Sequence, residues 1–136
     1  MSQWTHVAGV IRYDAIRVLP ISPAAQHLPT IFLAGIEPPT GSEGPLQWAV
    51  TENPEPAALA AYVTSFWGDL RDFGSPEDVQ TVVDYFQATV RGHAVRQGCF
   101  TVDVEYGPTK TYRYRDGVGF IIVEYQLLHE SEDEPL

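Results

Sequence analysis

Between Ser75 and Gly92 the apolar residues Val79, Val82, Val83, Phe86 and Val90 recur at helical spacing and fall on one face. The ends of this stretch are specified as well as its middle. Ser75 stands at the N-cap position, Pro76 takes the first helical position, where a missing N–H costs nothing, and Glu77 and Asp78 put negative charge on the positive end of the dipole. Arg91 closes the last turn, and Gly92 is placed for the left-handed conformation that ends helices. The pattern predicts one helix over about residues 75–91.

Elsewhere the period is two. From Trp4 to Tyr13, Val7, Ile11 and Tyr13 lie on one side and Trp4, Ala8 and Val10 on the other, so a central strand covered on both faces is expected. Leu46, Trp48 and Val50 alternate with Gln47, Ala49 and Thr51, as Phe100, Val102, Val104 and Tyr106 do with Thr101, Asp103 and Glu105. Both read as half-buried strands. Gly107-Pro108-Thr109 supplies a turn into Lys110 to Arg115, with Tyr112 and Tyr114 on one face, and Asp116-Gly117 a second turn into Val118 to Leu128. This is a three-strand meander.

Two stretches follow neither period. Propensity changes from helix-forming Pro56–Ala61 to β-branched and aromatic Tyr62–Trp67, which predicts a helical turn and then a strand to about Leu70. Residues 19–45 carry Pro20, Pro23, Pro29, Pro38, Pro39 and Pro45, so an irregular segment is expected, with Thr30 to Ala34 as a short edge strand. The fold class is therefore α+β, a single domain over 1–128 with a five- or six-stranded, mostly antiparallel sheet and one main helix on one face. Residues 129–136 read as an acidic disordered tail.

Composition narrows the function classes. With 136 residues and 44% hydrophobic content the chain has material for one core. Its longest apolar run is too short for a membrane span, and no signal peptide is recognisable at Met1 to His6, so a soluble cytoplasmic protein without membrane contact is expected. The net charge of −10 argues against direct nucleic-acid binding and toward a basic protein partner. Cys99, the single cysteine, reads as a small buried hydrophobe at the start of a strand. His6, His27, His93 and His129 are widely separated, and neither metal-ligand spacing nor a phosphate loop with Gly-Lys-Ser/Thr is present. No catalytic residue, cofactor or metal is assigned.

The candidate ligand- or partner-binding residues lie in four places. Gly41, Ser42 and Gly44 belong to a loop able to turn backbone N–H groups toward an anion, or simply to connect two elements. Asp69, Arg71 and Asp72 stand at a strand-to-helix junction, where Arg71 pairs with either acid or faces a ligand. Arg91 and Arg96 flank the helix end, available to a ligand or to the last helical carbonyls. Tyr112 and Tyr114, beside Arg113 and Arg115, suit either sheet packing or an interface.

The opening Ser2-Gln-Trp-Thr-His-Val-Ala-Gly-Val-Ile-Arg-Tyr-Asp14, together with Gly41-Ser-Glu-Gly-Pro-Leu46, Gly68-Asp-Leu-Arg-Asp72 and Val95-Arg-Gln-Gly98, resembles small proteins encoded by tailed bacteriophages. The resemblance implies the cytoplasm of an infected bacterium and work done by binding host machinery. The expectation is a non-enzymatic accessory protein that inhibits a host factor, such as an anti-defence protein of the anti-CRISPR kind. The alternatives are a sponge for a nucleotide immune signal, gripped by Arg71, Arg91 or Arg96, and a virion or assembly component. Self-association is also expected, because one helix hides little of so wide a sheet.

Overall fold

The computed structural model describes residues 2–16, 32–52 and 59–123, with backbone alone at residues 15, 16, 52 and 59–61. The strands are β1 (Trp4–Ile16), β2 (Thr40–Gly41), β3 (Gly44–Pro45), β4 (Gln47–Glu52), β5 (Leu59–Arg71), β6 (Val95–Val104), β7 (Thr109–Arg115) and β8 (Gly119–Ile122). The helix α1 spans Pro76–Val90 and lies between β5 and β6 in the chain. Six strands form one sheet in the order β4-β5-β1-β6-β7-β8, every neighbouring pair antiparallel, while β2 and β3 make a separate two-stranded hairpin. The expected α+β domain, its meander β6-β7-β8 and the central place of β1 are all present.

The helix forms as its caps dictate. Ser75 Oγ accepts from the Asp78 backbone N–H while the Asp78 carboxylate accepts from the Ser75 N–H, a reciprocal capping box that satisfies two donors of the first turn. Gly92 takes φ +78° just past the end. Its inward face holds Val82, Tyr85, Phe86, Thr89 and Val90, so Tyr85 and Thr89 join the stripe, whereas Val79 and Val83 are only half-buried. Phe86 stacks on Phe100 at 4.0 Å between ring centroids, and Phe100 stacks in turn on Tyr112 at 4.6 Å. Tyr13 Oη donates to the Thr89 carbonyl at 2.8 Å, and Gln87 exchanges hydrogen bonds with both the N–H and the carbonyl of Phe120. These contacts fix the helix over β1, β6 and β8.

The structure corrects several expectations. Residues 32–34 are helical and not an edge strand, and Leu33 is fully buried, because this segment adds to the core from above the sheet. The β2–β3 hairpin falls inside the stretch expected to be irregular; residues 17–31 lie outside the described residues. Strand β5 already runs at Leu59, where helix was expected, since pairing with Ile16, Ala15 and Asp14 overrides the local propensity of the alanines. Residues 53–58, the end of the expected last strand at 124–128 and the acidic tail lie outside the described residues. Cys99 is exposed in the middle of β6, because Phe100 and Gly98 take the inward positions.

Only one face of the sheet is covered among the described residues. Thr5, Val7, Ile11 and Tyr13 of β1 are buried under the helix, while Ala8 is exposed and Val10 is 46% exposed on the opposite side. The second face of β1, expected to be packed, is left uncovered by the described residues.

Candidate functional site

The junction after β5 gathers two of the sequence-predicted loops into one network. Gly41 lies against the backbone of Leu70 and Arg71 so closely that a Cβ there would meet Arg71 N at 2.7 Å. Ser42 then donates its N–H to the Arg71 carbonyl at 2.9 Å and its hydroxyl to Asp72 Oδ2 at 2.8 Å. Arg71 pairs with Glu43 at 2.7 Å, so neither Asp69 nor Asp72 is its partner. Asp69, two residues earlier on the same face of β5, is taken up instead by His6 Nδ1 at 2.7 Å, while Asp72 has turned off the strand at φ +57°. Arg71 Nε also donates to Ser2 Oγ at 3.1 Å, and its guanidinium lies over the Trp4 ring at 5.9 Å. Gly44, at φ +134°, completes the hairpin turn. The Ser42 N–H of this loop is thus spent on β5 and not on an anion.

Around this network the carboxylates concentrate. The start of β1 pairs with the ends of β5 and β6, which brings Glu43, Asp69, Asp72, Asp103 and Glu105 to one end of the sheet beside the acidic first turn of α1. Arg71, already paired, and Lys110 are the cations at this end among the described residues. Arg12, Arg91, Arg96, Arg113 and Arg115 stand toward the other end. Among the described residues, charge is therefore graded along the strands.

Projecting from the acidic end is Tyr106, 87% exposed and held at φ +63° in the β6–β7 turn. A hydrogen bond from Gly107 N–H to the Val104 carbonyl at 2.8 Å closes that turn. Sequence periodicity put Tyr106 on the inward face of a strand; the turn begins earlier than the Gly107-Pro108 pair suggests, and the ring swings into solvent. Non-glycine residues adopt positive φ at an energetic cost, and an exposed aromatic gains nothing from the core. His6, between Asp69 and Asp103 in the register, has its pKa raised by the hydrogen bond its ring donates to Asp69, against a smaller opposing effect of burial.

The other candidates lie far from this end. Arg91 and Arg96 follow α1, whose fifteen residues put about 22 Å between its ends, so they do not join Arg71 in one anion grip. Arg96 Nε instead pairs with Asp14 at 2.8 Å. Arg91 and Tyr114 do come together, in a shallow groove of about 530 Å³ that also presents His93, Asp116 and Gln87. His93 stacks on Phe32 at 3.7 Å, and burial lowers its pKa. Tyr112 is buried in the core stack, its hydroxyl pKa pushed up by desolvation, so it serves packing.

Comparison with known proteins finds no matching family, no matching curated protein and no matching solved structure.

Proposed function

We propose that this chain is a binding protein that acts through surface contact, docking its acidic end on a basic patch of a partner protein. The setting is the one its phage resemblance implies: an accessory protein that inhibits a host factor in the infected cell, as an anti-defence protein does. The observation that carries the reading is the segregation of charge, with Glu43, Asp69, Asp72, Asp103 and Glu105 at one end around a protruding Tyr106. A one-sign surface steers an oppositely charged partner and sets its orientation, and a tyrosine at its centre is the residue type that anchors interfaces.

Capture from bacterial lysate tests it. The wild-type chain should retain a protein partner that is lost as salt rises from about 0.05 to 0.5 M, because screening shortens the reach of exposed charges severalfold. Tyr106→Ala should weaken capture while leaving the fold intact, since the ring touches little of the core. Retention that ignores both salt and Tyr106 refutes this site.

A second reading has one favourable observation, the meeting of Arg91 and Tyr114 in the groove beyond α1. A nucleotide phosphate on Arg91 and its base on Tyr114 would make the chain a ligand sponge. Helix C-terminal carbonyls and Asp116 repel phosphate there, which ranks this reading second. A nucleotide panel in a thermal-shift assay decides it, because a ligand held by the folded state must raise the melting temperature.

A further inference from the structure

The open face of the sheet supplies the next inference, which shares Asp69 and Asp103 with the acidic-end reading but does not involve Tyr106. At one end of this face the register aligns Asp69, His6 and Asp103 across β5, β1 and β6; at the other it aligns Val63, Arg12 and Gln97. The acidic row and the Arg12 row are therefore separated along the strands. Between them lie two rows of complementary relief. One reads Trp67, Ala8, Thr101 and the next Ser65, Val10, Cys99, with Trp67 47% and Val10 46% exposed.

We propose that a second copy of this chain covers this face, sheet on sheet, about a two-fold axis that lies between the sheets and runs perpendicular to the strands. That axis exchanges the two central rows, so Trp67 meets the small Ser65 of the other copy and Val10 meets its Ala8. It exchanges the outer rows too, bringing Arg12 over His6, with Asp69 and Asp103 on either side within reach of its guanidinium. An axis along the strands would instead set each row against itself, acid on acid and Arg12 beside Arg12, and the charges select against it.

The size of the face agrees. Six strands about 4.8 Å apart and outward rows about 6.8 Å apart give on the order of 600–700 Å² per copy, close to the roughly 800 Å² that a stable interface buries on each side. Sheets pack face to face about 10 Å apart with strand directions within about 30°, which small residues such as Ala8, Ser65 and Thr101 permit.

The chain's single cysteine reports on this arrangement. Cys99 lies in the row beside the axis, so the two thiols of a dimer would stand about 8–10 Å apart, within reach of a short bismaleimide. Sedimentation equilibrium should give twice the 15.1 kDa chain mass, and the reagent should yield a covalent dimer at low protein concentration. Trp67→Glu, and separately Val10→Glu, should raise the dissociation constant at least about hundredfold, as loss of a central anchor does. Far-UV circular dichroism and the urea midpoint select variants that keep the fold, and two independent substitutions guard against one that does not. A wild-type chain that stays monomeric at about 0.1 mM overturns the proposal, that concentration lying far above the dissociation constant of a standard-size interface. So does a dimer indifferent to both folded variants, or a monomer in which Cys99 resists the reagent because the chain itself covers the face. A monomer that still captures a salt-sensitive partner retires the dimer and leaves the acidic-end reading standing.

Discussion

Replacing Gly41 by alanine is expected to cost more stability than replacing Arg71 by alanine, although Arg71 makes the ion pair and Gly41 has no side chain. The Arg71–Glu43 pair joins side chains that are 41% and 53% exposed, so it contributes about 0.2–1 kcal/mol. A hydrogen bond to Ser2 and an exposed contact with Trp4 each add at most about 1 kcal/mol and are not additive with the pair. Arg71→Ala should therefore lose about 1–1.5 kcal/mol. At Gly41, by contrast, an added Cβ would stand 2.7 Å from Arg71 N and 2.9 Å from both Arg71 O and Leu70 Cα. These are backbone atoms of a paired strand and cannot rotate away. The hairpin must shift, which strains or breaks the Ser42 N–H bond to the Arg71 carbonyl, so about 2–3 kcal/mol is expected from overpacking with that lost bond. Urea denaturation of the two variants, compared at equal m-value, reads the difference as a shift in midpoint. The reasoning fails if Arg71→Ala is the more destabilised, or if Gly41→Ala lies within about 0.5 kcal/mol of wild type, the range of neutral surface changes. The same pair of variants separates structure from binding. Removing Arg71 makes the acidic end more acidic, so capture of a basic partner should persist or strengthen.

Two further expectations concern pH. Burial pulls the Asp78 carboxyl upward, but bonds from the backbone of Gly74 and Ser75 and from the Ser75 side chain bring its pKa below the ordinary value; its stabilisation is present above that ordinary value and is lost as pH falls through the lowered one. Asp78→Asn should thus lose about 0.5–1 kcal/mol near neutrality, as other cap replacements do, and the gap in urea midpoints should narrow as pH falls below the ordinary carboxylate range; a constant gap would count against the cap. The histidines act in opposite senses. The raised pKa of His6 gives stability that is full below about 6.5 and fades as pH rises through the raised value, whereas the lowered pKa of His93 gives stability that is full above about 6.5 and fades as pH falls. Comparing unfolding at about pH 5 and pH 8, His6→Asn should shift the balance toward higher pH and His93→Phe toward lower, each by under about 0.5 kcal/mol because both groups are partly solvated. Shifts of the same sign would refute the assignment.

Legibility in the sequence followed the range of the forces involved. The helix was readable to within a residue at both ends, because Ser75, Pro76, Asp78 and Gly92 act on backbone groups no more than a turn away. The meander was readable for the same reason, since its turns at Gly107-Pro108 and Asp116-Gly117 are local. Period two told which residues share a face but not whether anything covers that face. Val10 and Cys99 were therefore expected inside and stand outside.

The candidate sites show the same division. From its neighbours Arg71 was expected to pair with Asp69 or Asp72, or to face a ligand, and it pairs with neither acid. That the carboxylate is Glu43 depends on the hairpin β2–β3 folding back onto β5, a contact between segments far apart in the chain. The acidic end likewise exists only because antiparallel pairing gathers the start of β1 with the ends of β5 and β6. By itself the sequence determined the helix, the meander and the excess of acid, all properties of neighbouring residues. Tertiary structure alone decided where that acid gathers, which way Tyr106 points and which face of the sheet is left open, because each depends on strand pairing across long loops that local pattern does not encode.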